Sequence, residues 1–259
     1  MNKTGKSSGI IGNILLVFFL INISCAQASE LRIAVASNFI LPLKELSREF
    51  QNSTGKKILL ISGSTGKLFA QIIHGAPFDI FLAADSLRPK LLEKEGLGVQ
   101  GTRFTYALGR LALWSLNSKI LFKNDLKVLN QKNFRYLAIA NPKTAPYGKA
   151  AEQVLRKKGL WKKIQTRLVR GENISQTFQF VFTGNAEMGF IAFSQFARKQ
   201  SQLKGYFLTI PKDWHNPIRQ QAILLKRAKA NKLALGFIDF LQNKRTKKII
   251  ESYGYSHEY

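Results

Sequence analysis

The chain has 259 residues, of which 45% are apolar and 21% are charged. This length and composition suffice for one large or two moderate globular domains with buried cores, and they exclude an intrinsically disordered chain. The formal net charge of +25 favours encounters with anions through long-range attraction. Because the lysines and arginines are spread along the chain without a helix-turn-helix, zinc-finger or RNP-like motif, we expect no nucleic-acid partner.

Residues 1–28 are predicted to be a secretory signal peptide. Two lysines precede an uncharged run from Ile10 to about Ile23, and Ala26-Gln27-Ala28 places small residues at the positions that a signal peptidase reads. We expect cleavage after Ala28 and a periplasmic location, which lowers the net charge from +25 to +23 because two lysines and no acidic residue are removed. A transmembrane anchor is disfavoured because the run is short for a bilayer.

The single cysteine, Cys25, lies in this segment. Cleavage after Ala28 leaves a chain without disulfide or thiol chemistry. A lipoprotein anchored through Cys25 is the alternative: Ser24 suits the position before the cysteine, whereas Asn22 is a poor substitute for the usual aliphatic residue.

From Leu31 onward, short β-rich runs alternate with helical ones, which predicts an α/β fold with parallel strands. The first part of the chain predicts strands at LRIAVAS, KKILLIS and FDIFLAA. Apolar residues at helical spacing and glycine stops at Gly75 and Gly96 indicate the helices that follow them. These apolar residues are Leu43, Leu46 and Phe50 in the first helix and Leu68, Phe69, Ile72 and Ile73 in the second.

The same alternation begins again after Leu108. Strands are predicted at RLALWS, YLAIA, IQTRLV and MGFIAF, and helices at YGKAAEQVLRKKG and ISQTFQFVFTG. A last strand around QQAILL precedes one C-terminal helix with Leu233, Phe237, Phe240 and Leu241 on its apolar face.

The number of strands favours two lobes over one. A single sheet would need about nine strands, more than the usual four to six. We assign residues 29–107 and 214–259 to lobe 1 and residues 108–213 to lobe 2. Open α/β sheets bind ligands at the carboxyl ends of their strands, so the predicted site lies in the cleft between the lobes.

Four strand-to-helix junctions are rich in hydroxyl, amide and glycine residues. Each alone is typical of an ordinary N-cap. Their concurrence in both lobes favours an anion site, because helix N-termini present unpaired N–H groups and a partial positive charge. About six such donors, each worth roughly 1.5 kcal/mol toward a charged partner, amount to on the order of 9 kcal/mol. The junctions are Ala36-Ser37-Asn38, Gly63-Ser64-Thr65-Gly66, Ala145-Pro146-Tyr147-Gly148 and Gly171-Glu172-Asn173-Ile174-Ser175.

Asp85 follows the third strand and is expected to act as an N-cap, because its carboxylate would repel an anion. No residue set supports an enzyme. His74, His215 and His257 lack metal-ligand spacing, and the sequence contains no G-x-S-x-G, HExxH or Walker A pattern. We therefore expect neither catalysis nor a cofactor.

Five stretches of the sequence follow one another in a recognisable order: AVASNF, SGSTGKLFAQIIHGAPFDIFLAAD, NPKTAPYGKAAEQVL, GENISQT and MGFIAFSQ. In this order and spacing they resemble the periplasmic molybdate-binding proteins of ABC importers, from about Leu31 to the C-terminal YGY. The resemblance implies a two-lobed, hinged periplasmic binding protein fold of type II. It also implies a monomer that closes on molybdate or tungstate and delivers the anion to a membrane permease.

The resemblance implies that the anion is held by neutral donors alone. From lobe 1, Ser37, Asn38 and Thr65 would bind it. Thr65 stands where the family has the second serine of a Ser-Ser pair, and Ser64 is expected to shape the turn rather than bind.

From lobe 2, Tyr147 would bind through its backbone N–H and its hydroxyl, and Ile174 through its backbone N–H. Ala192 stands where one branch of the family carries a tyrosine on a late strand, and the hydroxyl of Tyr147 would compensate for that loss.

Two other functions stay open at this point. A protein of the same fold could bind sulfate or another small anion, because discrimination between dianions depends on a cavity size that sequence does not show. The net charge of +23 leaves nucleic acid or an anionic surface as a partner of another class.

Overall fold

The computed structural model describes residues 30–116, 126–131, 134–198 and 205–257. The predicted signal peptide and Cys25 lie outside these ranges. In the part of the chain that is described, no helix has the length and apolar character needed to cross a membrane.

Lobe 1 is built on a five-stranded sheet in the order β2-β1-β3-β10-β4. β1 pairs in parallel with β2 and β3, whereas β10 is antiparallel to both β3 and β4. The strands are β1 (Leu31–Ala36), β2 (Ile58–Gly63), β3 (Ile80–Ala83), β4 (Phe104–Gly109) and β10 (Ile218–Leu224).

Helices cover both faces of this sheet because β1 is apolar on both of its sides. Ile33 and Val35 pack against one group of helices, and Ala34 packs against the other. The first group contains α1 (Ile40–Thr54), α8 (Lys232–Gln242) and α9 (Lys244–Ser252), and the second contains α2 (Thr65–Ile73) and α3 (Leu87–Lys94).

Lobe 2 repeats this arrangement with the sheet order β7-β6-β8-β5-β9. β6 is parallel to β7 and β8, and β5 is antiparallel to β8 and β9. The strands are β5 (Leu111–Ser115), β6 (Leu137–Ala140), β7 (Leu168–Gly171), β8 (Met188–Ala192) and β9 (Tyr206–Thr209). The helices are α4 (Pro146–Lys157), α5 (Trp161–Ile164), α6 (Ile174–Phe182) and α7 (Ser194–Ala197).

The predicted α/β architecture with two sheets is confirmed, and the predicted apolar faces of α1 and α4 are buried. The prediction for α2 was partly wrong, since Ile73 is exposed. The predicted strand IQTRLV begins only at Leu168, because residues 165–167 form a 3-10 turn. The single predicted C-terminal helix is two helices, divided where the Asn243 side chain accepts the Thr246 N–H at 2.7 Å.

The chain passes between the sheets twice. Only Arg110 separates β4 of lobe 1 from β5 of lobe 2, and residues 210–217 connect β9 back to β10. Because both sheets direct the carboxyl ends of their parallel strands toward the opposite lobe, the turns after β1, β2, β6 and β7 meet in the cleft.

Candidate functional site

The four junctions that the sequence singled out line one small cavity between the lobes. Its volume is about 10 Å³. That is room for a single small guest. The structure brings together all five residues predicted as ligands, which are Ser37, Asn38, Thr65, Tyr147 and Ile174.

The described residues that line this cavity include no lysine, arginine, aspartate, glutamate or histidine. Hydroxyl, amide and backbone groups are therefore its only polar components. Tyr147 is the one titratable residue of the lining, and burial raises the pKa of its phenol well above 10. The phenol therefore stays protonated, and its hydroxyl forms hydrogen bonds with both Gln220 and Tyr255.

On the lobe 1 side, Thr65 is the first residue of α2 and is 1% exposed. Its hydroxyl accepts a hydrogen bond from the Ala84 N–H at 3.0 Å, at the end of β3. This bond occupies a lone pair of the oxygen and leaves the hydroxyl proton available for a guest in the cavity. The methyl group that distinguishes threonine from serine is accommodated in the closed lobe arrangement.

Asn38 lines the cavity, but its side-chain amide is engaged elsewhere. Its Nδ2 group donates to Gln220 Oε1 at 2.8 Å and to Tyr255 Oη at 2.9 Å. Because an amide NH₂ carries two protons, both are already used. A contact from Asn38 to an anion would therefore come from its backbone N–H.

On the lobe 2 side, Asn173 is the N-cap of α6, and its Oδ1 accepts from the N–H groups of Ser175 and Gln176 at 3.0 and 3.1 Å. The Ile174 N–H lies at the start of the helix, where no intrahelical acceptor exists. Ile174 is a lining residue of the cavity, so this N–H group can serve as a donor to a guest there. Of the four junctions, this is the one at which a side chain caps a helix in the described structure.

The Tyr147 hydroxyl points to the crossing between the lobes. It accepts a hydrogen bond from Gln220 Nε2 at 3.2 Å, and a Cβ added to Gly109 would lie 2.3 Å from it. Only a glycine at position 109 leaves room for this phenol. Ala192, at the end of β8, is fully buried.

Asp85 performs the predicted capping role. Its Oδ1 accepts the Arg88 N–H at the start of α3 at 3.0 Å, and its other oxygen pairs with the Arg88 guanidinium. It lines an adjoining, larger cavity of about 400 Å³ together with Arg88 and Lys149. The Asp85 carboxylate is thus outside the small cavity, in agreement with the expectation that it would repel a bound anion.

The sequence did not reveal the part of the site formed by Tyr255, Gln220 and Ser194. The Tyr255 hydroxyl donates to the Asn38 carbonyl at 2.8 Å and lies 2.9 Å from Ser194 Oγ of α7. Ser194 Oγ in turn donates to the same carbonyl at 3.2 Å. These residues fix the turn that presents Ser37 and Asn38, and nothing in their local sequence indicates such a role.

The lobes are closed on each other around the cavity. Backbone and side-chain bonds cross directly between them, including Gly66 N–H to the Thr144 carbonyl at 2.8 Å and Ser175 Oγ to the Ser37 carbonyl at 3.1 Å. An ion pair between Lys67 and Glu172 spans the rim. A guest in the cavity would therefore be enclosed by both lobes.

A two-lobed α/β fold with a cavity between the lobes defines a solute-binding protein of the periplasmic type. Comparison with known families agrees: the family described as bacterial extracellular solute-binding protein matches residues 31–256. The chain belongs to this family, which is a family of transport proteins rather than of enzymes.

Relatives within the family are similar over nearly the whole chain. The molybdate-binding protein ModA of Azotobacter vinelandii is 46% identical over 231 residues, covering 89% of this chain and 91% of the relative. The protein of the same name from Rhodobacter capsulatus is 40% identical over 233 residues, or 90% of each chain.

Solved structures give the same result. A periplasmic molybdate-binding protein of Azotobacter vinelandii superposes with a TM-score of 0.84 at 34% identity, covering 88% of this chain and 100% of that one. The sulfate-binding protein SubI of Mycobacterium tuberculosis, at 10% identity and a TM-score of 0.73 over 88% of this chain and 86% of its own, shares the fold alone.

Proposed function

We propose that this protein binds molybdate, and also tungstate, outside the cytoplasm and delivers the anion to the permease of an ABC importer. The observation that carries the proposal is the convergence of four strand-to-helix junctions on one interlobe cavity whose described lining has no charged side chain. Ser37, Asn38, Thr65, Tyr147 and Ile174 are the proposed ligands. The names of the relatives in Azotobacter and Rhodobacter support the choice of anion.

The chemistry of the lining favours a full dianion. Hydroxyl protons and first-turn N–H groups satisfy anionic oxygens, and about six of them contribute on the order of 9 kcal/mol before ordering costs. That corresponds to micromolar affinity or better. A protonated phosphate would need an acceptor for its own proton, and the described lining offers no carboxylate for it.

The cavity has room for one small guest and presents only hydroxyl, amide and backbone groups to it. Sulfate has the same charge and a smaller radius, so the fit of the walls is expected to decide between the anions.

Closure links binding to delivery. Donors from both lobes contact one anion, so the anion stabilises the closed form in proportion to those contacts. The permease would then recognise a ligand-dependent shape. The two crossings, at Arg110 and at residues 210–217, lie close to the proposed lobe boundaries, which assign residues 29–107 with 214–259 to lobe 1 and residues 108–213 to lobe 2. Leu108 and Gly109 belong to β4 in the lobe 1 sheet, so the first crossing falls two residues later than proposed.

Export through residues 1–28 belongs to the same proposal. Mass spectrometry of the mature protein is expected to show an N-terminus at Ser29. A diacylglycerol-modified Cys25 at the N-terminus would instead establish a lipoprotein. Light scattering of the purified protein is expected to give the mass of a monomer.

Isothermal titration of the purified protein with molybdate, tungstate and sulfate tests the proposed function most directly. We expect heat and a raised melting temperature with the first two anions. The absence of both signals for molybdate and tungstate would overturn the proposal, and a response to sulfate alone would support the alternative of a sulfate-binding protein.

A further inference from the structure

Ser64 is the last residue before α2 and lies in the wall of the cavity. A serine at this position ordinarily accepts a hydrogen bond from an N–H of the first helical turn. The Ser64 side chain makes no such bond. We expected Ser64 to shape the turn before α2. Its hydroxyl does not do so by capping the helix.

The hydroxyl of Ser64 is buried without a partner. The residue is 4% exposed, and its Oγ atom has no hydrogen-bond partner among the described residues. A buried, unpaired hydroxyl costs about 1 to 3 kcal/mol. Such groups are rare in native proteins and commonly mark a place where a ligand, ion or water completes the bonding.

Closure of the lobes explains in part why the Ser64 hydroxyl has no partner. The Gly66 N–H is one of the donors that an N-cap at position 64 would bind, but it donates to the Thr144 carbonyl of lobe 2 at 2.8 Å. The neighbouring hydroxyl, of Thr65, already accepts from the Ala84 N–H at 3.0 Å. Ser64 thus carries the hydroxyl of this junction that has no hydrogen-bond partner in the part of the chain that the structure describes.

We propose that Ser64 is a direct ligand of the bound oxyanion and donates its hydroxyl proton to an anionic oxygen. This inference rests on the proposed function and adds a donor to the five proposed ligands. In the absence of anion, the Ser64 hydroxyl contributes no bond to the closed form. Anion binding supplies its partner, so that burial of the hydroxyl favours the liganded state.

The test is a comparison of Ser64→Ala with Ser47→Ala. Ser47 is the matched control because it is also 4% exposed, its Oγ atom is also without a partner among the described residues, and it lies in α1 away from the cavity lining. Both substitutions remove one buried, unpaired hydroxyl from lobe 1. Only the first removes it from the cavity.

Molybdate and tungstate are titrated into the wild type and both variants, and each unliganded protein is melted. We expect Ser64→Ala to raise Kd about 10- to 100-fold, from the loss of one hydrogen bond to a charged group. The Ser47→Ala variant is expected to keep the wild-type Kd. Both unliganded variants are expected to melt at or above the temperature of the wild type, because neither hydroxyl has a partner to lose.

Two outcomes overturn the role of Ser64 while leaving the proposed function intact. One is a Kd of Ser64→Ala within about threefold of the wild type. The other is a lower melting temperature of unliganded Ser64→Ala, or failure of that variant to fold, which would show that the hydroxyl stabilises the turn. A wild type that binds neither anion overturns both the function and this inference.

Discussion

The Gly66 N–H donates to the Thr144 carbonyl at 2.8 Å, so that the backbones of α2 in lobe 1 and the loop before α4 in lobe 2 are in direct contact. A Cβ atom at position 66 would lie 2.9 Å from both Cα and O of Thr144. Real Cβ atoms do not approach backbone this closely. Glycine at position 66 is therefore a requirement of the closed lobes.

Gly66→Ala is expected to weaken anion binding without harming the unliganded fold. Gly66 lies inside α2 with an ordinary helical conformation, where alanine is favoured by up to about 1 kcal/mol. In the closed form the added methyl group collides with Thr144, and overpacking of this kind typically costs about 1 to 3 kcal/mol. Titration should show a Kd raised about tenfold or more, and small-angle scattering should show less compaction on addition of molybdate.

Gly236→Ala is the control for this experiment. Gly236 lies within α8 of the same lobe, and its added Cβ would meet only Phe50 at an ordinary 3.9 Å. This variant is expected to be more stable than the wild type and to bind with unchanged affinity. Equal affinity of Gly66→Ala and wild type would show that closure does not bring position 66 against Thr144.

Thr65→Val tests the proposed donor at the start of α2 while keeping its shape. The change removes the hydroxyl proton and leaves the Ala84 N–H without the acceptor that it contacts at 3.0 Å. We expect affinity to fall by about 1 to 3 kcal/mol. Thr65→Ser keeps the oxygen and should stay close to the wild type in titration.

Ser37→Ala is expected to cost a similar amount, about 1 to 3 kcal/mol of affinity, because it removes a proposed donor to a buried charge. Titration with molybdate measures the loss. Unchanged affinity in both Ser37→Ala and Thr65→Val would place the site outside this cavity.

The sequence was sufficient to predict which four junctions line the interlobe cavity, but not the hydrogen bonds that each of their residues makes. Alternating strands and helices fix the direction of the strands, and the direction of the strands brings their carboxyl ends together. Hydrogen-bond partners far apart along the chain could not be predicted in this way. Thr65 meets Ala84 across 19 residues, and Asn38 meets Tyr255 across 217.

These distant partners explain the differences at individual residues. The sequence predicts Asn38 as a ligand without indicating which of its groups would bind, and in the structure Gln220 and Tyr255 take both of its amide protons. Ser64 has the sequence context of an N-cap, but its hydroxyl is unpaired because the partner at position 66 is engaged by the other lobe. Only the packing of the two lobes determines which hydrogen bonds the side chains of Asn38 and Ser64 make.

Tyr255→Phe is expected to weaken both stability and binding. Its hydroxyl contacts the carbonyl and the Nδ2 atom of Asn38 and the hydroxyl of Ser194. Burial raises the pKa of this phenol, which therefore remains a neutral donor and acceptor. Loss of the hydroxyl should lower the free energy of unfolding by about 1 to 3 kcal/mol.

The effect on binding arises because this network holds the turn of Ser37 and Asn38 and joins it to lobe 2. We expect an affinity several-fold lower in titration. Tyr206→Phe, a change at an exposed position of β9, is the control and should alter neither property. A Tyr255→Phe variant with wild-type stability would show that the buried bonds of this phenol contribute nothing.

Binding is expected to be independent of pH between about pH 6 and 9, where histidine, cysteine and the α-amino group ordinarily titrate. The described lining of the cavity contains one titratable group, the phenol of Tyr147. Burial disfavours its phenolate and raises its pKa well above 10, so deprotonation begins only above this range. Titration of molybdate across the range should give a constant Kd at fixed ionic strength. A sigmoid change of tenfold or more would require a histidine or carboxylate in contact with the anion, contrary to the neutral cavity that the four junctions form.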